Sequence, residues 1–152
     1  MTDQDNLNTK KTQFSYRLKS INILSFNFNG INLIDKKSKP PFLKYNLEIK
    51  SGSNKENKAV IIVAIITTYF NKDNEPYSKL SIEYIFDIKD PNNLIFQEEE
   101  PNIPYDLMLT FISIAISTSR GILFEKGRGT LMQQEPLPLI DPTRFIKKVE
   151  SK

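Results

Sequence analysis

The first groups in this chain that could do chemistry are the carboxylates of Glu98-Glu99-Glu100. Three acids could hold a divalent cation, or two of them could act as acid and base. Adjacent residues in an extended segment point in different directions, however, so a run of three does not converge on one point. The run reads as a solvated acidic loop ahead of a helix start, where negative charge suits the helix dipole. Gly127-x-Gly129 has the spacing of part of a phosphate-cradling loop. It lacks the preceding strand and the Lys-Ser/Thr continuation, so it reads as a turn. Arg120-Gly121 falls inside or at the end of a helix, where glycine costs about 1 kcal/mol. Gly121 there caps the helix or allows close packing, and Arg120 could close onto a carboxylate such as Asp141. Cysteine and histidine are both absent. That removes thiol nucleophiles, thiolate metal sites, the commonest general base and the commonest metal ligand. Carboxylate pairs and Ser-Lys pairs remain as routes to catalysis. The expectation is a protein that is not an enzyme and uses no cofactor and no metal.

The chain has 152 residues, the size of one ordinary domain. Its hydrophobic share is 39%, with ten Phe and six Tyr, enough burial to offset the ordering entropy of folding. The net charge is +3, and the lysines are scattered instead of gathered on one face, which argues against a nucleic-acid partner. Met1 to Asn6 is polar and acidic, unlike a secretory signal. The longest apolar run, Ala59 to Ile66, is far short of the roughly 20 residues of a membrane helix. A soluble, cytoplasmic protein without membrane insertion is expected.

The elements that must position these groups can be read from the hydrophobic period. Residues 1–12 read as a disordered lead-in to a single domain, 13–152. Phe14, Tyr16 and Leu18 share one parity, Ile21 and Ile23 the other, and Leu24, Phe26 and Phe28 the first again. Two changes of parity predict one long strand with a bulge or strong bend, and a kink near Lys19-Ser20. Gly30 to Pro41 is a lysine-rich connection. Phe42 to Lys50 alternates as a strand with one wet face, and Tyr77 to Lys89 does the same. Ala59 to Phe70 is apolar on both parities, the pattern of a strand covered on both faces. Joined by short polar loops, these four strands predict an antiparallel meander.

The period then changes. A helix is expected over roughly Tyr105 to Phe124, opened by Pro104 and with Asp106 in its first turn. Leu107, Met108, Leu109, Phe111, Ile112, Ile114, Ala115 and Ile116 cover nearly its whole circumference. One side can meet the sheet; the other needs cover, most simply from a second copy of the chain. An extended, Pro-containing crossing follows over Leu131 to Ile140, then a short helix over Thr143 to Val149 with Asp141 as N-cap and Pro142 at its first position. The class is α+β.

The order of these elements, with Ser119-Arg120-Gly121-Ile122-Leu123 and then Leu137-Pro138-Leu139-Ile140-Asp141-Pro142-Thr143-Arg144-Phe145, resembles the SecB family of export chaperones. The likeness in layout covers roughly residues 14–149. It implies a homotetramer, a dimer of dimers, with the long helices lying between sheets. It also implies ATP-independent holding of unfolded polypeptides in apolar grooves between the sheet, the crossover and the final helix. Members of that family are typically acidic and dock the basic tail of the SecA motor on their sheet. This chain is basic, with Lys44 and Lys50 on a wet strand face, which argues against SecA as a partner. Glu125 to Glu135 lengthens the connection between the helices. A relative with another client set, antitoxin-linked or phage-borne, fits better than a general export factor.

The expected function is therefore a holdase for unfolded or partly folded clients, acting by apolar burial and strand-edge hydrogen bonding. The alternative is a scaffold module with one folded partner. Aromatic placement puts Phe26, Phe28, Phe42, Phe124, Leu131, Met132, Leu137 and Phe145 in the client groove. The helix pattern puts Leu107, Phe111, Ile114 and Ile116 in the interface between copies.

Overall fold

Pairing explains the two changes of parity in the first strand. The computed structural model describes residues 15–29, 42–70, 75–91 and 93–146. Its first strand, β1, spans Ser15–Phe28 and runs antiparallel to β4, Pro76–Lys89. The register shifts between Leu18 and Ser20 and again between Ile23 and Ser25. Each shift inserts one residue and resets the alternation. As a result Tyr16, Leu18, Ile21, Ile23, Phe26 and Phe28 all fall on one face, opposite Ile88, Phe86, Tyr84, Ile82, Leu80 and Ser78. The expected kink at Lys19-Ser20 is the first of these bulges.

β2, Leu43–Asn54, and β3, Ala59–Phe70, pair without a break in register, and β3 pairs with β4. The sheet order is β1-β4-β3-β2. The fold is thus α+β with four antiparallel strands, as expected, but only β2 to β4 form a meander. The connection over 29–42 is too long to enforce a hairpin, so β1 is free to cross and pair with β4. The bulk of that connection, 30–41, and the lead-in 1–12 lie outside the described residues.

One face of the sheet carries the core. Val60, Ile62, Ala64 and Ile66 of β3 and Leu80, Ile82, Tyr84, Phe86 and Ile88 of β4 are buried there. Across them lies α1, Tyr105–Lys126. Phe111 stacks on Phe86 with ring centroids 4.3 Å apart and meets Tyr16 edge-on at 5.3 Å. The Tyr84 and Ser119 hydroxyls share a buried hydrogen bond of 2.6 Å. Burial pushes the Tyr84 phenol above its ordinary pKa, partly opposed by the Ser119 hydrogen bond.

These contacts place the residues expected between copies. Leu107, Phe111 and Ile116 are turned onto the chain's own sheet, and only Ile114 remains half-exposed. The apolar circumference of the helix does not distinguish its inner stripe from its outer one, since both are greasy. By length and mean hydropathy, 1.7, α1 could cross a membrane, and 39% of that window is buried. Its stacking on Phe86 and its bond to Tyr84 are those of a core helix.

The expectation for β3 also changes. Its second parity, Ile61, Val63 and Ile65, is only half-buried, because no described helix packs on that face. Gly121 sits within α1, exposed, with nothing within 4 Å of a Cβ built on it. It neither caps the helix nor admits a close neighbour from its own chain. Gly121→Ala is therefore expected to stabilise the protomer by about 0.5–1 kcal/mol, measured by urea unfolding at low concentration.

Candidate functional site

Three local structures build the surface beside the helix. The first is a carboxylate clamp. Asp90, just after β4, is 3% exposed and accepts backbone N–H bonds from Leu94 at 2.9 Å and Ile95 at 2.7 Å. The N–H of Asn93, which has φ 51°, bonds back to the Asp90 carbonyl. Ile95 and Phe96 are thereby held in the core, and the Asn102 N–H closes the crossover onto the Ile95 carbonyl at 2.9 Å. The Asp-Pro-Asn-Asn sequence signals a break in the sheet, not that its first acid would gather a loop. Glu98, Glu99 and Glu100 lie exposed on this crossover, and no metal-holding cluster of His, Cys, Asp or Glu occurs among the described residues.

The second is the start of the C-terminal arm. α1 ends at Gly127, whose missing Cβ is what lets the chain turn. A methyl there would lie 2.6 Å from Met132 Cβ and 3.1 Å from the Leu123 carbonyl oxygen. Thr130 caps the single turn α2, Leu131–Gln134, by accepting from the Met132 N–H at 3.1 Å. The Ser78 hydroxyl donates to Met132 Sδ at 3.1 Å. Gly127→Ala is expected to destabilise by about 1–3 kcal/mol, because the overlap outweighs the gain in chain stiffness. Thermal unfolding of the variant beside the parent checks this.

The third is the arm itself. The Glu135 carboxylate accepts from the Phe42 N–H at 2.8 and 2.9 Å and from the Leu43 N–H at 3.4 Å, tying the arm to the start of edge strand β2. The Tyr45 hydroxyl donates to the Glu135 carbonyl. Burial, and secondarily the Glu135 charge, pushes the Tyr45 phenol far above its ordinary pKa. Arg120 does not reach Asp141. Its guanidinium donates to the Leu137 carbonyl at 3.1 Å and the Pro138 carbonyl at 3.2 Å. Asp141 instead caps a 3-10 turn, Pro142–Phe145, accepting from the Thr143 N–H at 3.0 Å and hydroxyl at 2.7 Å. Those bonds hold its carboxyl below the ordinary carboxylate range. The cap and the proline are as expected; the rest of the expected helix, 147–149, lies outside the described residues.

Together these pieces leave an open groove of about 790 Å³. Ser51, Gly52 and Ser53 of β2 form one wall, the crossover from Glu100 to Pro104 another, and Tyr105, Met108 and Ile146 the floor. This is the space between sheet, crossover and final turn, but none of the eight residues expected in the groove lines it. Leu131, Met132 and Leu137 belong to the arm and are buried in the core cluster. Phe26 stacks near Phe28 at the far end of the sheet, with Lys126 Nζ 5.9 Å above its ring, and Phe28 meets Tyr77 edge-on. Phe42 stacks against Phe70. Phe124 is exposed on the last turns of α1, and Phe145 packs partly on the core beside Ile146. Phe26, Phe42 and Phe145 pack partly on the core, while Phe28 and Phe124 are exposed. The groove is marked by a different signal: small residues on an edge strand and prolines in the crossover.

A second apolar surface lies on the other flank of α1. The inner face of β1 extends past the helix, leaving Leu18, Ile21, Ile23 and Phe28 between 36% and 46% exposed. A cleft there is lined by Ile23, Ser117, Thr118, Gly121 and Ile122.

No protein-family model matches the chain, and no curated protein matches its sequence. Solved structures similar to the chain include two that differ in what is known of them. One is the SecB-like chaperone Rv1957 of Mycobacterium tuberculosis in complex with a ChAD peptide from the HigA1 antitoxin, at 14% identity and TM-score 0.46, over 82% of this chain and 89% of that one. The other is a protein of unknown function from Streptococcus agalactiae, at 11% identity and TM-score 0.44, over 84% and 98%. The likeness is one of fold, and it is distant.

Proposed function

We propose that this protein holds extended, apolar polypeptide segments without ATP, in the groove between β2, the crossover and Ile146. One observation carries the reading. The groove sets apolar side chains, Ile103, Tyr105 and Met108, beside an edge strand whose side chains at Ser51, Gly52 and Ser53 are too small to shield its main chain. An extended segment laid there meets hydrogen-bonding groups along one side and grease below, a combination that makes few demands on its sequence. The rigid anchoring of the crossover by Asp90 and of the arm by Glu135 and Arg120 supports a preformed site. We also propose self-association through the exposed inner face of β1 and the flank of α1, where Leu18, Ile21, Ile23 and Gly121 lie open. Bulged edges pair poorly with other strands, so side-chain packing is the expected mode of contact.

The test is suppression of aggregation of several unrelated unfolded proteins, followed by light scattering in nucleotide-free buffer. A holdase slows all of them near stoichiometric amounts. A protein that ignores all of them and binds one folded partner is a scaffold, and the reading falls.

A further inference from the structure

Most of the outer face of the sheet serves neither the core nor the groove. Ile61, Val63 and Ile65 run along the middle of β3, with Ile85 of β4 paired beside Ile61. They are half-buried, and they do not belong to the core cluster. Opposite Ile61 on β2 stands Gly52, which leaves that isoleucine flank open. From Ile61 to Ile65 the stripe is about 13 Å long, at the rise of a strand.

The charges around the stripe are not balanced. Two of its acids are paired with cations, Asp87 with Arg17 at 3.1 Å and Glu48 with Lys50 at 3.8 Å, while Glu83, opposite Val63, keeps its charge and accepts only from the Asn22 amide at 3.1 Å. The exposed cations at its ends are not so paired. Lys44, opposite Tyr69, and Lys79, opposite Thr67, lie beyond Ile65, and Lys89 lies beyond Ile85. None of the three forms an ion pair among the described residues. A protein could cover an apolar stripe with more of its own apolar surface. Cations without acids at both ends call instead for a partner that brings its own acids.

We infer that the outer sheet face is a docking surface for an amphipathic protein segment, apolar along its centre and acidic at its ends. Ile61, Val63, Ile65 and Ile85 receive the apolar side, and Lys44 and Lys79 meet the acids at one end. The stripe meets the groove at Gly52, but its isoleucines, Val63 and the two lysines lie outside the groove lining. A partner bound here leaves the opposite face of the molecule free.

The test uses the full chain and two fluorescein-labelled helical peptides of about 14 residues. Both carry an isoleucine face; one has Glu and Asp at its ends, the other Lys. Fluorescence anisotropy is expected to show saturable binding of the acidic-ended peptide, and binding of the Lys-ended one about tenfold weaker, the sum of two exposed charge contacts. Lys44→Glu with Lys79→Glu is expected to reverse that preference. Val63→Glu, on the solvent side of β3, is expected to abolish binding while circular dichroism stays that of the parent. Equal binding of the two peptides, or binding that survives Val63→Glu, overturns the inference. So does a concentration-dependent dimer lost on Val63→Glu in sedimentation, since the occupant is then a second copy of this chain.

Discussion

Phe111→Ala is expected to lower stability by about 3–5 kcal/mol, the range for removing a large buried aromatic side chain. Phe111 is fully buried, stacked face to face on Phe86 and edge-on to Tyr16. It therefore joins three elements, α1, β4 and β1, and no small side chain can fill the gap it leaves. The loss is a property of the single protomer. Urea unfolding should show it equally at low and high protein concentration. A loss that shrinks as concentration rises would place Phe111 between copies instead, as the helix pattern alone suggested. With typical domain stabilities of about 5–15 kcal/mol, the variant is expected to be partly unfolded at elevated temperature.

Ile103→Asp combined with Met108→Asp is expected to abolish the holding of unfolded clients while leaving the fold intact. Both side chains are half-buried in the groove wall and floor, so each aspartate reaches water when the groove is empty. When a client segment covers them, two carboxylates lose solvent against an apolar partner, a cost of several kcal/mol. The expected result is more than about tenfold weaker suppression of aggregation. Far-ultraviolet circular dichroism should remain that of the parent, with a lower unfolding midpoint, because both side chains also pack partly on the core. Phe124→Asp is the matched control, since Phe124 is exposed and lies outside the groove. If Phe124→Asp abolishes holding and the double variant does not, the site lies on the flank of α1.

Some of this was legible along the chain. The parity changes between Phe14 and Phe28 told of a strand with interrupted pairing, because a β-strand has a strict period of two and an inserted residue cannot be hidden. Asp141-Pro142 told of a capped turn, because the capping bond is made to a residue only two positions away. Arg120 was visible as unusual, but its partners were not. They are main-chain carbonyls, Leu137 and Pro138, which carry no side-chain signature. Asp90 and Glu135 escaped for the same reason. Each carboxylate gathers backbone N–H groups, of residues 94 and 95 in one case and of residues 42 and 43 in the other, and every residue but proline offers those alike.

The sequence by itself determined the class of fold, the four strands, the long helix and the Pro-containing return, since each follows from periodicity and local capping. Only the tertiary structure decided which strands are neighbours, which stripe of an all-apolar helix faces inward, and where a groove opens. Those outcomes depend on contacts between residues far apart in the chain. Apolar side chains of similar character do not announce which of several possible surfaces they will cover.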